Sequence, residues 1–133
     1  MELGICKLCG LERELQDGHY MPRGLYKRLR EEHRKNPNPV VITKDVTFRT
    51  SKQATDYVLC KECEGKFNRG GETWLMASVA HGKRFPLLDR LRVSVPMHNL
   101  SESVSYSGTR AGINTDELGY FALSMVWRGA VHE

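Results

Sequence analysis

The sequence lacks any apolar run long enough to span a bilayer, and nothing resembling a secretory signal precedes its first cysteine. It also has no internal repeats and no low-complexity tract. These absences argue against an integral membrane protein and against a secreted disulfide scaffold. We therefore expect a cytoplasmic protein with no membrane partner, long enough at 133 residues to bury one core.

Cysteine is scarce, and its placement is the strongest signal in the chain. The four cysteines form two Cys-x-x-Cys pairs, Cys6 with Cys9 and Cys60 with Cys63. A two-residue gap lets one tight turn aim both sulfurs at a single point, and two such knuckles supply the four thiolates that tetrahedral zinc prefers. The spacing predicts a closed structural Zn²⁺ site. Two disulfides, a redox dithiol and reduced core cysteines remain the alternatives.

The positive charge is unevenly distributed. Residues 1–84 hold 16 Lys and Arg against 11 Asp and Glu, whereas residues 85–133 hold 4 against 5. The densest basic segment contains Arg23, Lys27, Arg28, Arg30, Arg34 and Lys35. Such a segment is typical of a phosphate-binding face, although a solvated helix face has the same composition.

The periodicity predicts a mixed α+β chain. Pro22 suits the first turn of a helix that carries Leu25, Tyr26 and Leu29 on one face and ends near residues 36–39. Strands are predicted at 40–42, 46–48 and 57–59. A short helix at 64–69 is expected to stop at Gly70 and Gly71, and a second helix to cover 72–80.

The C-terminal part has a weaker pattern. Turns are predicted at Pro86, Pro96 and 107–108, and a terminal helix at 116–131. That helix places its apolar face on Leu118, Phe121, Ala122 and Met125. We interpret residues 1–84 as the zinc module and residues 85–133 as an extension whose terminal helix packs on it in one compact unit.

The order of these motifs resembles the HNH endonuclease superfamily in a zinc-knuckled bacterial form. The matching segments are Cys6 to Gly10, Gly18-His19-Tyr20-Met21-Pro22, Leu59-Cys60-Lys61-Glu62-Cys63-Glu64 and Trp127-Arg128. The resemblance implies an α+β fold with a small zinc-stabilised ββα-metal core, HNH-like or treble-clef-like, and a helical C-terminal extension. It also implies a divalent ion beside the scissile phosphate and a histidine that activates water.

Under this resemblance, His19 matches the general base, although a hairpin histidine bonded to a nearby carbonyl is the simpler interpretation. Gly18 stands where such enzymes carry a metal ligand, so the candidate ligands for catalytic Mg²⁺ or Mn²⁺ are Asp17 and Glu64. Glu64 alternatively favours the positive end of a helix. Thr55 or Asp56 lies near the place of the middle asparagine.

Three functions are consistent with these features. The first is a metal-dependent endonuclease acting on nucleic acid, DNA in preference to RNA. The second is a non-catalytic zinc module that binds nucleic acid through Arg23, Lys27, Arg28 and Arg30. The third is a zinc-stabilised interaction protein that uses the terminal helix with Trp74 and Trp127. No role is assigned to the remaining histidines, His33, His81, His98 and His132.

Overall fold

A computed structural model describes residues 2–30, 38–79, 82, 84–100 and 103–132. The chain is mixed α and β, as predicted, and its sheets are antiparallel. The contacts group it into two compact units, residues 1–66 with 125–133, and residues 67–124. These units differ from the predicted modules 1–84 and 85–133, which remain a prediction about domains.

The first unit is built on a three-stranded antiparallel sheet in the order β1-β2-β5, beside a separate hairpin of β3 and β4. Its strands are β1 Glu2–Ile5, β2 Glu12–His19, β3 Val40–Ile42, β4 Thr47–Arg49 and β5 Thr55–Cys60. The core side chains are Leu15 of β2 and Val58, Leu59 and Cys60 of β5, all less than a tenth exposed. β5 runs directly into helix α2, Lys61–Phe67.

Helix α1, Arg23–Leu29, follows Pro22 as predicted but is shorter than expected. Arg30 has extended backbone angles (φ −74°, ψ 127°), so the helix ends there and not near residues 36–39. The hydroxyl of Tyr26 accepts a hydrogen bond from the backbone N–H of Ala54, which ties the helix to the start of β5. His33, Arg34, Lys35 and the predicted stop at 36–37 lie outside the described residues.

The glycine pair after α2 does not stop the helix, contrary to our prediction. A π-helical turn, Asn68–Glu72, joins α2 to α3, Thr73–Val79. A Cβ on Gly71 would meet the backbone of Glu117 and Phe121, and one on Gly70 would meet the ring of Tyr120. The glycines are therefore needed because another helix, α5 (Thr115–Val131), packs closely against this turn.

Helix α4, Pro86–Val93, occupies a region for which we predicted only turns. Pro86 begins this helix, where its missing N–H costs nothing, and Asp89 and the basic residues near its end suit the helix dipole. The sequence signal was present but was interpreted as a turn. A short hairpin follows, formed by β6 His98–Leu100 and β7 Ser103–Ser105.

Helix α5 confirms the predicted terminal helix, and three residues of its predicted apolar face, Leu118, Phe121 and Met125, are half-buried. Ser124 and Arg128 are the buried positions, at 7% and 4% exposure, whereas Ala122 is exposed. The Ser124 hydroxyl donates to the Phe121 carbonyl at 2.7 Å, which satisfies it inside the helix. No helix in the described part of the chain is long and apolar enough to cross a membrane.

Candidate functional site

The first knuckle is closed by backbone hydrogen bonds. The N–H of Gly10 donates to the Cys6 carbonyl at 2.8 Å, and the N–H of Cys6 donates to the Leu11 carbonyl at 2.9 Å. Gly10 has φ +72°, a left-handed conformation that glycine adopts at little cost. The N–H of Lys7 donates to the Val58 carbonyl, so the knuckle is fastened to β5, the strand that ends at Cys60.

The four cysteine sulfurs converge, as the spacing predicts. All four Sγ atoms lie within 4.8 Å of one another, and those of Cys9 and Cys60 are 4.0 Å apart. Tetrahedral zinc with bonds of about 2.3 Å places its sulfurs roughly 3.8 Å apart, and a disulfide needs about 2 Å. All four are free cysteines; Cys6, Cys60 and Cys63 are buried and Cys9 is exposed. Together they can hold a structural metal ion such as zinc.

The electrostatics of this cluster favour a bound cation. Burial raises the pKa of the Cys63 thiol to about 12, and the neighbouring thiols add to that rise. Burial also raises the pKa of Cys60. Burial alone would raise the pKa of Cys6 too, but backbone N–H groups of Cys60, Cys9 and Leu8 outweigh it and lower that pKa to about 6. A divalent cation would offset the cost of ionising thiols so close together.

Arg13 provides positive charge beside the cluster. Its guanidinium lies 2.9 Å from the Glu62 carboxylate, and the hydrogen bond to Glu62, with smaller contributions from Cys60 and Cys9, raises the pKa of Arg13. Four thiolates around one zinc carry a net charge of about −2, so a nearby cation is favourable.

The second group of candidate residues lies where β2, β5 and α2 meet. His19 ends β2 and pairs in register with Thr55, while Gly18 pairs with Asp56. A Cβ at Gly18 would lie 3.4 Å from Oε2 of Glu64, the second acidic residue in the first turn of α2. Positions 18 and 64 therefore face each other.

Arg128 joins this group, and sequence reasoning assigned it no role. Its Nη1 donates to the His19 carbonyl at 2.7 Å, and its Nη2 lies 2.9 Å from Oε1 of Glu64. The Arg128 side chain is 4% exposed. Its only sequence signal was membership of the Trp127-Arg128 motif.

Asp56 is also engaged by neighbours. One of its oxygens accepts from the N–H of Tyr57 at 2.7 Å, and the other lies 3.7 Å from Nδ1 of His132. The His132 ring stands edge-on to Tyr20 with centroids 5.8 Å apart. His132, for which we predicted no role, therefore packs with Arg128 against the end of β2.

The predicted catalytic residues Asp17, His19 and Glu64 do not form a group whose ligand atoms all lie within 4.8 Å of one another. Asp17 is exposed. The sheet has a register shift beside it, but the extra residue lies on β5, since Gln16 and Gly18 pair with Leu59 and Asp56. Among the described residues, the four cysteines are the one group of three or more His, Cys, Asp or Glu whose ligand atoms lie within 4.8 Å.

The basic segment is partly exposed. Arg23, Lys27 and Arg30 are exposed and Arg28 is half-buried. Within the described ranges, no carboxylate pairs with Arg23, Lys27 or Arg30.

Comparison with known proteins gave no match to a protein-family model, to a curated protein or to a solved structure. A function for this protein must therefore be argued from the arrangement of its own residues.

Proposed function

We propose that this protein is a zinc-stabilised module that binds nucleic acid through helix α1 and does not cleave it. Zinc occupies the four-cysteine cluster and fixes the β1-β2-β5 sheet. The basic residues that contact phosphate are Arg23, Lys27, Arg28 and Arg30.

The observation that carries the non-catalytic part of this proposal is the ion pair between Arg128 and Glu64. A divalent ion needs free carboxylate oxygens, and the guanidinium already neutralises Glu64 from a nearly buried position. Both carboxylate oxygens of Asp56 already have neighbours: Oδ1 accepts from the N–H of Tyr57, and Oδ2 lies 3.7 Å from Nδ1 of His132. Gly18 offers no side-chain ligand. These contacts argue against a divalent ion that would activate a water at this corner.

Binding is supported by the composition and exposure of α1. Its seven residues, RGLYKRL, include three cations and no acid. Lys27 and Arg28 lie in the last turn, where positive charge also suits the helix dipole. Exposed guanidinium and ammonium groups on a short helix can release counterions from a phosphate backbone, which is the main source of non-specific affinity.

A charge-neutralised variant tests the binding surface. The triple variant Arg23→Gln, Lys27→Gln, Arg30→Gln should bind duplex DNA at least tenfold more weakly by fluorescence anisotropy. Its slope of log K against log salt should fall by about one unit per lost phosphate contact. A control with the same charge loss elsewhere, Lys44→Gln, Lys52→Gln, Arg92→Gln, should bind like the parent. If both triple variants lost the same affinity for DNA, the site would not lie on α1. If the zinc-loaded parent did not bind DNA at all, the proposal itself would be wrong.

The endonuclease is the second candidate, favoured by one observation: positions 18 and 64 face each other beside His19, as the HNH resemblance requires. Incubation of the zinc-loaded protein with DNA and Mg²⁺ or Mn²⁺ decides between the two. We expect no cleavage. Metal-dependent cleavage that falls about a hundredfold in His19→Ala, with zinc retained, would establish the nuclease. The interaction-protein hypothesis with Trp74 and Trp127 remains a prediction.

A further inference from the structure

A cavity in the unit formed by residues 67–124 has not been assigned any role. It has a volume of about 670 Å³ and lies between the end of α4 and the turn at residues 109–112. Arg90 and Arg110 line it together with Val93, Val95 and Ala111. Cavities of about 300–1,000 Å³ that combine apolar walls with a few charged groups are typical of small-ligand sites.

The second feature of this cavity is its positive charge, which Arg90 and Arg110 carry. Asp89, the acid on α4, lies 3.4 Å from Arg84 and 3.9 Å from Arg92. In the part of the chain that the structure describes, no carboxylate pairs with Arg90 or Arg110. An anion that contacted both guanidinium groups would gain charge-assisted hydrogen bonds from each.

A hydrogen bond restrains the Arg90 side chain at this cavity. Its Nη1 donates to the Gly112 carbonyl at 2.6 Å. Gly112 has φ +64°, a left-handed conformation that suits glycine, and its N–H bonds the Thr109 carbonyl at 3.1 Å. A guanidinium fixed by one hydrogen bond still presents other N–H groups to a ligand.

The cavity also has apolar lining residues, and it is open to solvent. Val93 and Val95 are 85% and 77% exposed, so a ligand that covered them would bury apolar surface. Aliphatic side chains can pack against the flat face of a base, while arginine forks match the oxygens of a phosphate.

We propose that this cavity binds a nucleotide phosphate, with Arg90 and Arg110 on the phosphate and Val93 and Val95 against the base. The phosphate belongs to a free mononucleotide or to a nucleotide of a strand, and the chemistry of the contact is the same for both. This site lies on residues other than α1, so it does not depend on the proposed function.

Amide NMR titration of the intact 133-residue chain, loaded with zinc, tests the site. We expect adenosine monophosphate to shift amides of residues 90–95 and 109–112, and inorganic phosphate to shift them only at higher concentration. Adenosine, which lacks the phosphate, should not shift them. If a single-stranded oligonucleotide shifts these amide signals and the mononucleotide does not, the bound phosphate belongs to a nucleic-acid strand. No shift there with any of these ligands overturns the proposal.

Two variants and a control locate the binding. Arg110→Gln and Val93→Asp, which places a carboxylate in the cavity, should each weaken binding at least tenfold. Arg92→Gln removes a charge from the same helix outside the cavity and should leave affinity unchanged. Arg90 is not substituted because its bond to Gly112 supports the turn. Unchanged affinity in both cavity variants, or an equal loss in Arg92→Gln, overturns the proposal. The α1 triple variant should retain binding to the mononucleotide, which separates this site from the proposed function.

Discussion

Arg128 shows how one residue sets the chemistry of a site. Its guanidinium is nearly buried and contacts the Glu64 carboxylate and the His19 carbonyl. Burying a charge is costly unless it is paired and hydrogen-bonded, so each partner depends on the other. The same pairing engages Oε1 of Glu64, one of the two oxygens that a divalent ion could use.

Replacing Arg128 should therefore destabilise the protein strongly. We expect Arg128→Met to lower the free energy of unfolding by about 3 kcal/mol, because it leaves the Glu64 carboxylate without its cation. Urea unfolding of the zinc-loaded protein measures this.

The matched control is Arg92→Met. Arg92 is largely exposed and 3.9 Å from Asp89, so its loss should cost less than about 1 kcal/mol. The double variant Arg128→Met, Glu64→Gln should recover part of the stability, since the unpaired charge is gone. Similar costs for Arg128→Met and Arg92→Met would show that the buried pair is not stabilising.

At the scale of elements, the π-helical turn between α2 and α3 depends on a close helix crossing. Gly71 is buried, and the backbone of α5 passes where its Cβ would lie. Gly119, on α5, faces open space, with no atom within 4 Å of an added Cβ. Replacing glycine by alanine should thus change the free energy of unfolding in opposite directions at these two positions.

We expect Gly71→Ala to lower the free energy of unfolding by about 2–3 kcal/mol, because the methyl group must displace backbone. Gly119→Ala should instead raise it by about 0.5–1 kcal/mol, since alanine favours the helix. Thermal or urea unfolding of both variants gives the comparison. A Gly71→Ala protein as stable as the parent would contradict the close crossing.

At the scale of the whole molecule, the four cysteines tie the first knuckle to the β5–α2 junction within residues 1–66. Among the described residues, the largest side chains that are less than 2% exposed are Leu59 and three of these cysteines, Cys6, Cys60 and Cys63. A core of this kind would gain much of its folding energy from a metal ion held by the four cysteines.

Elemental analysis should find one zinc per chain. Removing it with a chelator, or by Cys60→Ser, should abolish hydrogen-exchange protection of β2 and β5. An exposed serine variant, Ser103→Ala, should keep both zinc and protection. A metal-free protein with β2 and β5 still protected would contradict a structural zinc.

Zinc retention should also weaken on acidification. The raised pKa values of Cys60 and Cys63 mean that these thiols release protons when the metal binds, so added protons compete with zinc. Zinc release followed by a chromogenic chelator should increase as the pH falls from 8 toward about 5. Retention independent of pH over that range would argue against a thiolate site.

The cysteine cluster was predictable because two short-range turns, each set by local spacing, produce it. Helix α5 and the strands around Val40 and Tyr57 were predictable from periodicity. Helix α4 was missed because Pro86 was interpreted as a turn and not as a first helical residue. The glycine pair was misinterpreted because its role depends on α5, more than forty residues later in the chain.

The sequence by itself determined the pair of cysteine knuckles, the mixed α and β character and the basic face of α1, since all three depend on local spacing and composition. Only the tertiary structure decided which neighbours the side chains of Glu64 and Asp56 contact. Arg128 and His132 meet Glu64 and Asp56 only when the end of α5 packs against β2 and β5. Contacts between residues so distant in the chain have no local signature, because they arise from packing and not from spacing.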